Sequence, residues 1–110
     1  MPDTEGDGVG EFVKVATTHE IRPGTGKLVQ VNGMEIAVFN AGGQFYATSP
    51  GCPHEDGPLA DGTLDGDVVV CPWHGFDFDL KTGGCLVDPD LRVATYPVKV
   101  EGGNVLVEAP

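Results

Sequence analysis

The sequence predicts an all-β domain built from antiparallel sheets. Its 110 residues include 17 Gly and 9 Pro with no repeating period, a composition of many turns rather than long helices. Eight to ten short runs with strand-like alternation recur along the chain. Turn pairs such as Asn32-Gly33, Gly42-Gly43 and Gly102-Gly103 separate them at regular intervals. A single domain of this length buries roughly 60 to 70% of the surface its unfolded chain exposes. These observations leave a sandwich and a barrel both open.

Residues 1–10 carry three acids and little to bury, so a flexible tail is expected, with the domain proper over 11–110. The first strand is expected over 11–16, with Val13 and Val15 on one face. Thr17 and Glu20 have capping-box spacing, and Pro23-Gly24 stops any helix after about one turn. His19, between them, reads as a surface residue. Residues 27–31 and 34–39 form a hairpin around Asn32-Gly33, a pair suited to the positive φ of a type I′ turn. Met34, Ile36 and Val38 alternate with Glu35, Ala37 and Phe39, the pattern of a half-buried strand. Ala41-Gly42-Gly43 turns the chain into a strand over 44–48. Val68-Val69-Val70 is a short buried strand that delivers Cys71, and residues 76–79 alternate before Thr82-Gly83-Gly84 turns them back. A last hairpin pairs 96–101 with 104–108 around Gly102-Gly103.

Two loops carry the chemistry. Cys52-Pro53-His54 is followed, sixteen residues on, by Cys71-Pro72-Trp73-His74. Each supplies one thiol and one imidazole, side chains that suit iron, zinc or copper. Pro53 and Pro72 fix φ at about −65°, so each ligand pair sits on stiffened backbone. Cys and His alternate here, unlike the Cys-Cys then His-His order of a common zinc finger. The ligand chemistry alone leaves a structural Cys₂His₂ zinc site open. It also admits a [2Fe–2S] cluster with two thiolates on one iron and two imidazoles on the other.

Cys-x-His, sixteen residues, then Cys-x-x-His-Gly through Gly75 resembles the signature of Rieske-type ferredoxins and related domains, and the strand spacing agrees over roughly residues 11 to 108. The resemblance implies an antiparallel sandwich of three sheets, with a cluster-binding subdomain inserted at about 49–86. It implies one [2Fe–2S] cluster held by Cys52, His54, Cys71 and His74, with the histidines at an exposed tip. It likens Asp88-Pro89-Asp90 to a proline-bearing loop that covers the cluster. Gly57 and Gly75, close after the ligand pairs, suit close backbone approach to the sulfides. The respiratory-complex form of the motif has a disulfide between its ligand loops and a serine after the second His-Gly. Asp56, Trp73 and Phe76 stand at those positions here, which points to a low-potential, soluble member.

Two neutral imidazoles in place of two thiolates remove two negative charges and favour reduction. Such centres therefore lie at about −150 to +300 mV, against about −400 mV for plant-type ferredoxins. The expected function is a one-electron carrier that takes electrons from a flavin-dependent reductase to a terminal ring-hydroxylating oxygenase. On that reading it binds no organic substrate and is not itself an enzyme. The small subunit of an assimilatory nitrite reductase is the alternative. The length opposes an oxygenase, because no residues remain for a separate mononuclear iron domain.

The formal charge of −11 makes nucleic acid and anionic membrane poor partners. Residues 55–90 hold nine acids, including Glu55 and Asp56 beside His54, against Lys81 alone. That face is either a solubilising surface or one that steers basic partners. No apolar run approaches the ~18 residues of a membrane helix, and no signal-peptide pattern opens the chain. Cys85 is left without a partner and reads as a small buried apolar residue, which fits a reducing cytoplasm.

Overall fold

The computed structural model describes residues 12–51, 58–73 and 75–108. Glu11 and the expected tail lie outside them. Within them, ten strands form three antiparallel sheets, as the all-β reading requires. They are β1 (Phe12–Thr17), β2 (Thr25–Val31), β3 (Met34–Ala41), β4 (Gln44–Thr48) and β5 (Thr63–Asp65). After these come β6 (Val68–Val70), β7 (Asp77–Asp79), β8 (Thr95–Tyr96), β9 (Val98–Glu101) and β10 (Asn104–Glu108). The sheet orders are β9-β10-β1, β2-β3-β4-β8 and β5-β6-β7. Two 3-10 turns, Thr18–Glu20 and Leu59–Asp61, complete the set. The Thr17 N–H donates to Glu20 Oε1 at 2.7 Å, the acidic half of the expected capping pair.

The β2–β3 hairpin closes as expected: Asn32 and Gly33 have φ of 53° and 81°, and Val31 faces Met34 across the turn. Strand β3 departs from expectation. It is not half-buried, because Ile36, Ala37, Val38, Phe39 and Asn40 are all buried. The alternation is real, but each face meets a core of its own. Ile36 and Val38 join Ala16, Ile21, Val29, Val105 and Val107 in one cluster. Ala37 and Phe39 join Leu59, Val69, Cys71, Phe78 and Leu80 in another. The four-stranded sheet is thus the middle layer. Asn40 is tolerated there because its Nδ2 donates to the Ile21 carbonyl and its Oδ1 accepts from the Gly43 N–H, both at 2.7 Å.

In β1, Val13 faces Val107 and Ala16 faces Val105, with a register shift between them. Val13 and Val15 both pack against the first core, as expected of one face, and at the bulge Ala16 is buried in that core as well. One further expectation is corrected. The strand expected over 96–101 is two strands. Tyr96 pairs with Ala47 in the middle sheet, whereas Val98 pairs with Val107 in the other. Pro97, which has no N–H to give a ladder, marks the crossing between sheets. Strand β5 and the turn at Leu59–Asp61 were not expected, since neither has a strong alternating or capping pattern.

The 3-10 turn at Leu59–Asp61 docks on the middle sheet through a close approach at Gly26. Opposite Phe39 in the ladder, a Cβ at Gly26 would lie 2.7 Å from that ring and 2.9 Å from the Ala60 carbonyl oxygen. Within the third layer, the Leu80 N–H donates to the Asp67 carbonyl at 2.8 Å, and Lys81 Nζ lies 2.8 Å from Asp67 Oδ2.

We expect Gly26→Ala to destabilise the protein by about 1 to 3 kcal/mol, because ring and carbonyl must both give way. Urea midpoints would show it; an unchanged midpoint would mean the layers can slide apart without loss. The Asp67–Lys81 pair sets a pH window. The hydrogen bond from Lys81 holds the Asp67 carboxyl below its ordinary value, and the same bond raises Lys81. The stabilisation is therefore complete between the ordinary values, about 3.9 and about 10.4, and is lost as pH falls through the lowered aspartate value or rises through the raised lysine value. Asp67→Asn should lower the melting temperature slightly at neutral pH, since the pair is solvent-screened, and match wild type in strong acid. A difference that persists in acid would place its cause elsewhere.

Candidate metal centre

Strand β6 leads directly into Cys71, which is 1% exposed within the second core. Its backbone N–H donates to the Phe76 carbonyl at 2.7 Å, and Val70 pairs with Asp77 just below. The segment between Cys71 and Phe76 therefore caps a β6–β7 hairpin. Gly75 takes φ of 70° there. Trp73, 47% exposed, turns its backbone N–H toward Cys71 Sγ at 3.4 Å. A sulfur that gains negative charge on metal binding or reduction is stabilised by such a donor. Asp77 Oδ1 is buried with no hydrogen-bond partner among the described residues.

The base of the first ligand loop is also defined. Gly51 and Pro58 form an antiparallel bridge, and the Leu59 N–H donates to the Pro50 carbonyl at 3.2 Å. Leu59 is fully buried in the same core as Cys71 and Val69. The stems of both loops are thus anchored in one apolar cluster. Cys52, His54, Gly57 and His74, like Glu55 and Asp56, lie outside the described residues. Of the four expected ligands, Cys71 alone is described.

Cys85 is 7% exposed in the second core, with its N–H on the Leu91 carbonyl at 3.0 Å; it and Cys71 are free thiols. It is the small buried residue expected. In the Asp88-Pro89-Asp90 loop, Asp88 Oδ1 accepts from the Asp90 N–H at 3.0 Å and the Asp88 carbonyl from the Leu91 N–H at 3.0 Å. The loop is a locally closed turn tied back to the core at Cys85. Just before it, Leu86 and Val87 are 56% and 64% exposed. The sequence reading passed over these two; an adjacent apolar pair beside two acids was the available signal. His19 is exposed, as expected.

The buried thiol, its N–H donor and the anchored stems suit a cluster held between two loops. The family model for the Rieske [2Fe-2S] domain matches residues 11–97. The chain belongs to the Rieske [2Fe–2S] family. It binds one [2Fe–2S] cluster. The biphenyl dioxygenase ferredoxin subunit of Pseudomonas sp. (strain KKS102) is 36% identical over 99 residues, which are 88% of this chain and 91% of that one. The solved complex of reduced oxygenase and oxidised ferredoxin in carbazole 1,9a-dioxygenase contains a chain 39% identical to it, with a TM-score of 0.78, covering 87% of this chain and 91% of that one. The putative NADH-dependent nitrite reductase small subunit from Mycobacterium tuberculosis is 25% identical, with a TM-score of 0.85, covering 92% and 96%. Among the described residues no helix is long and apolar enough to cross a membrane.

The Trp73 N–H gives a specific expectation. Trp73→Pro removes this donor, whereas Trp73→Ala keeps it while removing the same indole. The proline variant should have the lower midpoint potential of the two. A bond contributing about 1 kcal/mol more to the reduced state corresponds to roughly 40 mV for one electron. Protein-film voltammetry of the pair measures it, and equal potentials would show that the contact does not tune the sulfur.

Proposed function

We propose that this chain is a one-electron carrier of a ring-hydroxylating dioxygenase system, accepting electrons from a flavin-dependent reductase and delivering them to a terminal oxygenase. The observation that carries this reading is the near full-length similarity to a dioxygenase ferredoxin subunit, 36% identity over 91% of that protein. The carbazole 1,9a-dioxygenase structure, in which a similar ferredoxin is in complex with an oxygenase, supports the second half of the transfer. Cys52 and Cys71 supply the thiolates and His54 and His74 the imidazoles. The cluster-binding unit spans about 49–86, and Asp88-Pro89-Asp90 covers it. The cluster supplies a site that gains and loses one electron. The chain's own residues bury the Cys71 sulfur, direct an N–H at it and hold the stems of both loops in one apolar core. No organic substrate is transformed on it. Cys85, a buried thiol outside the ligand set, fits a reducing compartment, the cytoplasm.

The nitrite reductase small subunit is the second reading, and its support is the TM-score of 0.85. That likeness is one of fold; the lower identity of 25% makes it the weaker one.

The purified protein should contain two irons and two acid-labile sulfides per chain and be red-brown. Cys52→Ser, His54→Ala, Cys71→Ser and His74→Ala should each lose most of the iron and melt at lower temperature, because metal binding is coupled to folding. Cys85→Ser should keep the iron. Reduction by a flavin reductase and onward turnover of a ring-hydroxylating oxygenase complete the test. Iron retained in one of the four and lost in Cys85→Ser would overturn the ligand set; turnover only with a sirohaem reductase would select the second reading.

A further inference from the structure

A groove of about 290 Å³ lies where the third layer steps down onto the middle sheet. Its position follows from strand register. Leu28 faces Ala37, and Gln30 faces Glu35, so Leu28, Glu35 and Ala37 share the sheet face that carries the second core. The 3-10 turn at Leu59–Asp61 covers Ala37 and Phe39 and stops short of Leu28, which remains 48% exposed. Pro50, Pro58 and Ala60 form the opposite wall. The groove is therefore floored and walled by apolar groups. Two exposed carboxylates, Glu35 from β3 and Asp61 from the turn, open onto it, and no cation is among its described lining residues. Neither carboxylate is in an ion pair within the described residues.

An apolar slot with two free carboxylates matches one kind of side chain. Lysine and arginine have aliphatic stems that pack on apolar surface and cationic heads that need an acid. We propose that this groove docks a lysine or arginine presented by a protein redox partner, the stem lying on Leu28, Pro50 and Pro58 and the cation meeting Glu35 and Asp61. The proposal rests on the electron-carrier reading and adds a site to it. Charge complementarity favours a protein surface with a basic patch, since the chain carries −11 overall. The location gives the contact its use. Gly51 and Pro58, bridged to each other at the base of the segment bearing Cys52, line the groove, so a partner seated here sits at that base. A cation in this groove fixes the partner laterally and sets which face it turns to the cluster.

Cytochrome c, a basic protein that accepts one electron, serves as the probe. The reduced holoprotein is mixed with it at low ionic strength, as wild type, as Glu35→Lys with Asp61→Lys, and as the charge-matched control Asp65→Lys with Asp90→Lys. Iron content and melting temperature confirm that each variant is folded. The groove pair should slow the second-order rate at least about tenfold and the control pair less than about threefold, because only the first places like charge in the slot. Amide shifts at Leu28, Glu35 and Asp61 should move when cytochrome c is added to oxidised wild type and stay still in the groove pair. Equal slowing by both pairs, with groove shifts unmoved in wild type, overturns the proposal in favour of diffuse steering. A wild type that binds with moving groove shifts but passes no electron supports the groove and removes the carrier reading.

Discussion

Burial of β3 on both faces is the constraint on which the rest of the structure depends. A strand of eight residues, Met34–Ala41, has Ile36 and Val38 in one core and Ala37 and Phe39 in the other. Neither face can be given to water without exposing large apolar groups; losing Phe39 alone is worth about 3 to 5 kcal/mol on the scale of buried aromatic deletions. The β1–β10–β9 sheet closes the first face and the small third sheet closes the second. The third layer is thus an obligatory part of the packing. Cys71 and Leu59, which anchor the two loop stems, are themselves core residues. Stability and site geometry share one set of contacts.

The fold was legible wherever local chemistry decides it. Asn32-Gly33 dictates its own turn, Val68-Val69-Val70 its own strand, and Thr17 with Glu20 its own cap. What the sequence could not show were features decided by layers meeting. Alternation along β3 is the same whether one face is wet or both are dry, so a half-buried strand was the natural reading of a two-sided one. The bulge in β1 and the change of sheet at Pro97 depend on partners ninety or fifty residues away in the chain. Gly26 reads as an ordinary glycine until Phe39 and Ala60 are seen against it. The family was legible for a different reason. Metal chemistry restricts ligand types so tightly that two Cys-His pairs in the right order carry more information than any strand pattern.

The groove was not legible, and the exposed pair Leu86 and Val87 only faintly so, because exposure is a property of the assembled surface. Leu28 sits in a strand whose pattern would bury it; only the short reach of the Leu59–Asp61 turn leaves it open. Surface apolar groups beside acids are the usual composition of a transient docking face, where affinity must stay low enough for release. A carrier that serves two partners in turn needs such faces.

The electrostatics of the site pull in two directions, and the balance has a structural logic. The acids of residues 55–90 put negative potential around the centre, which disfavours adding an electron. The Trp73 N–H works the other way, and from much closer, at 3.4 Å from the sulfur. The acceptor sulfur belongs to Cys71, buried in the second core, where a close dipole is screened less than in open solvent. Exposed carboxylates such as Asp65 and Asp90 act through solvent and fade within a Debye length, about 8 Å at physiological salt. The two influences are therefore separable by distance and by medium. An inner donor such as the Trp73 N–H acts on the sulfur largely independently of salt, while the outer acids act on surfaces that approach from solvent. One short chain can in this way fix its redox chemistry from inside and its choice of partners from outside.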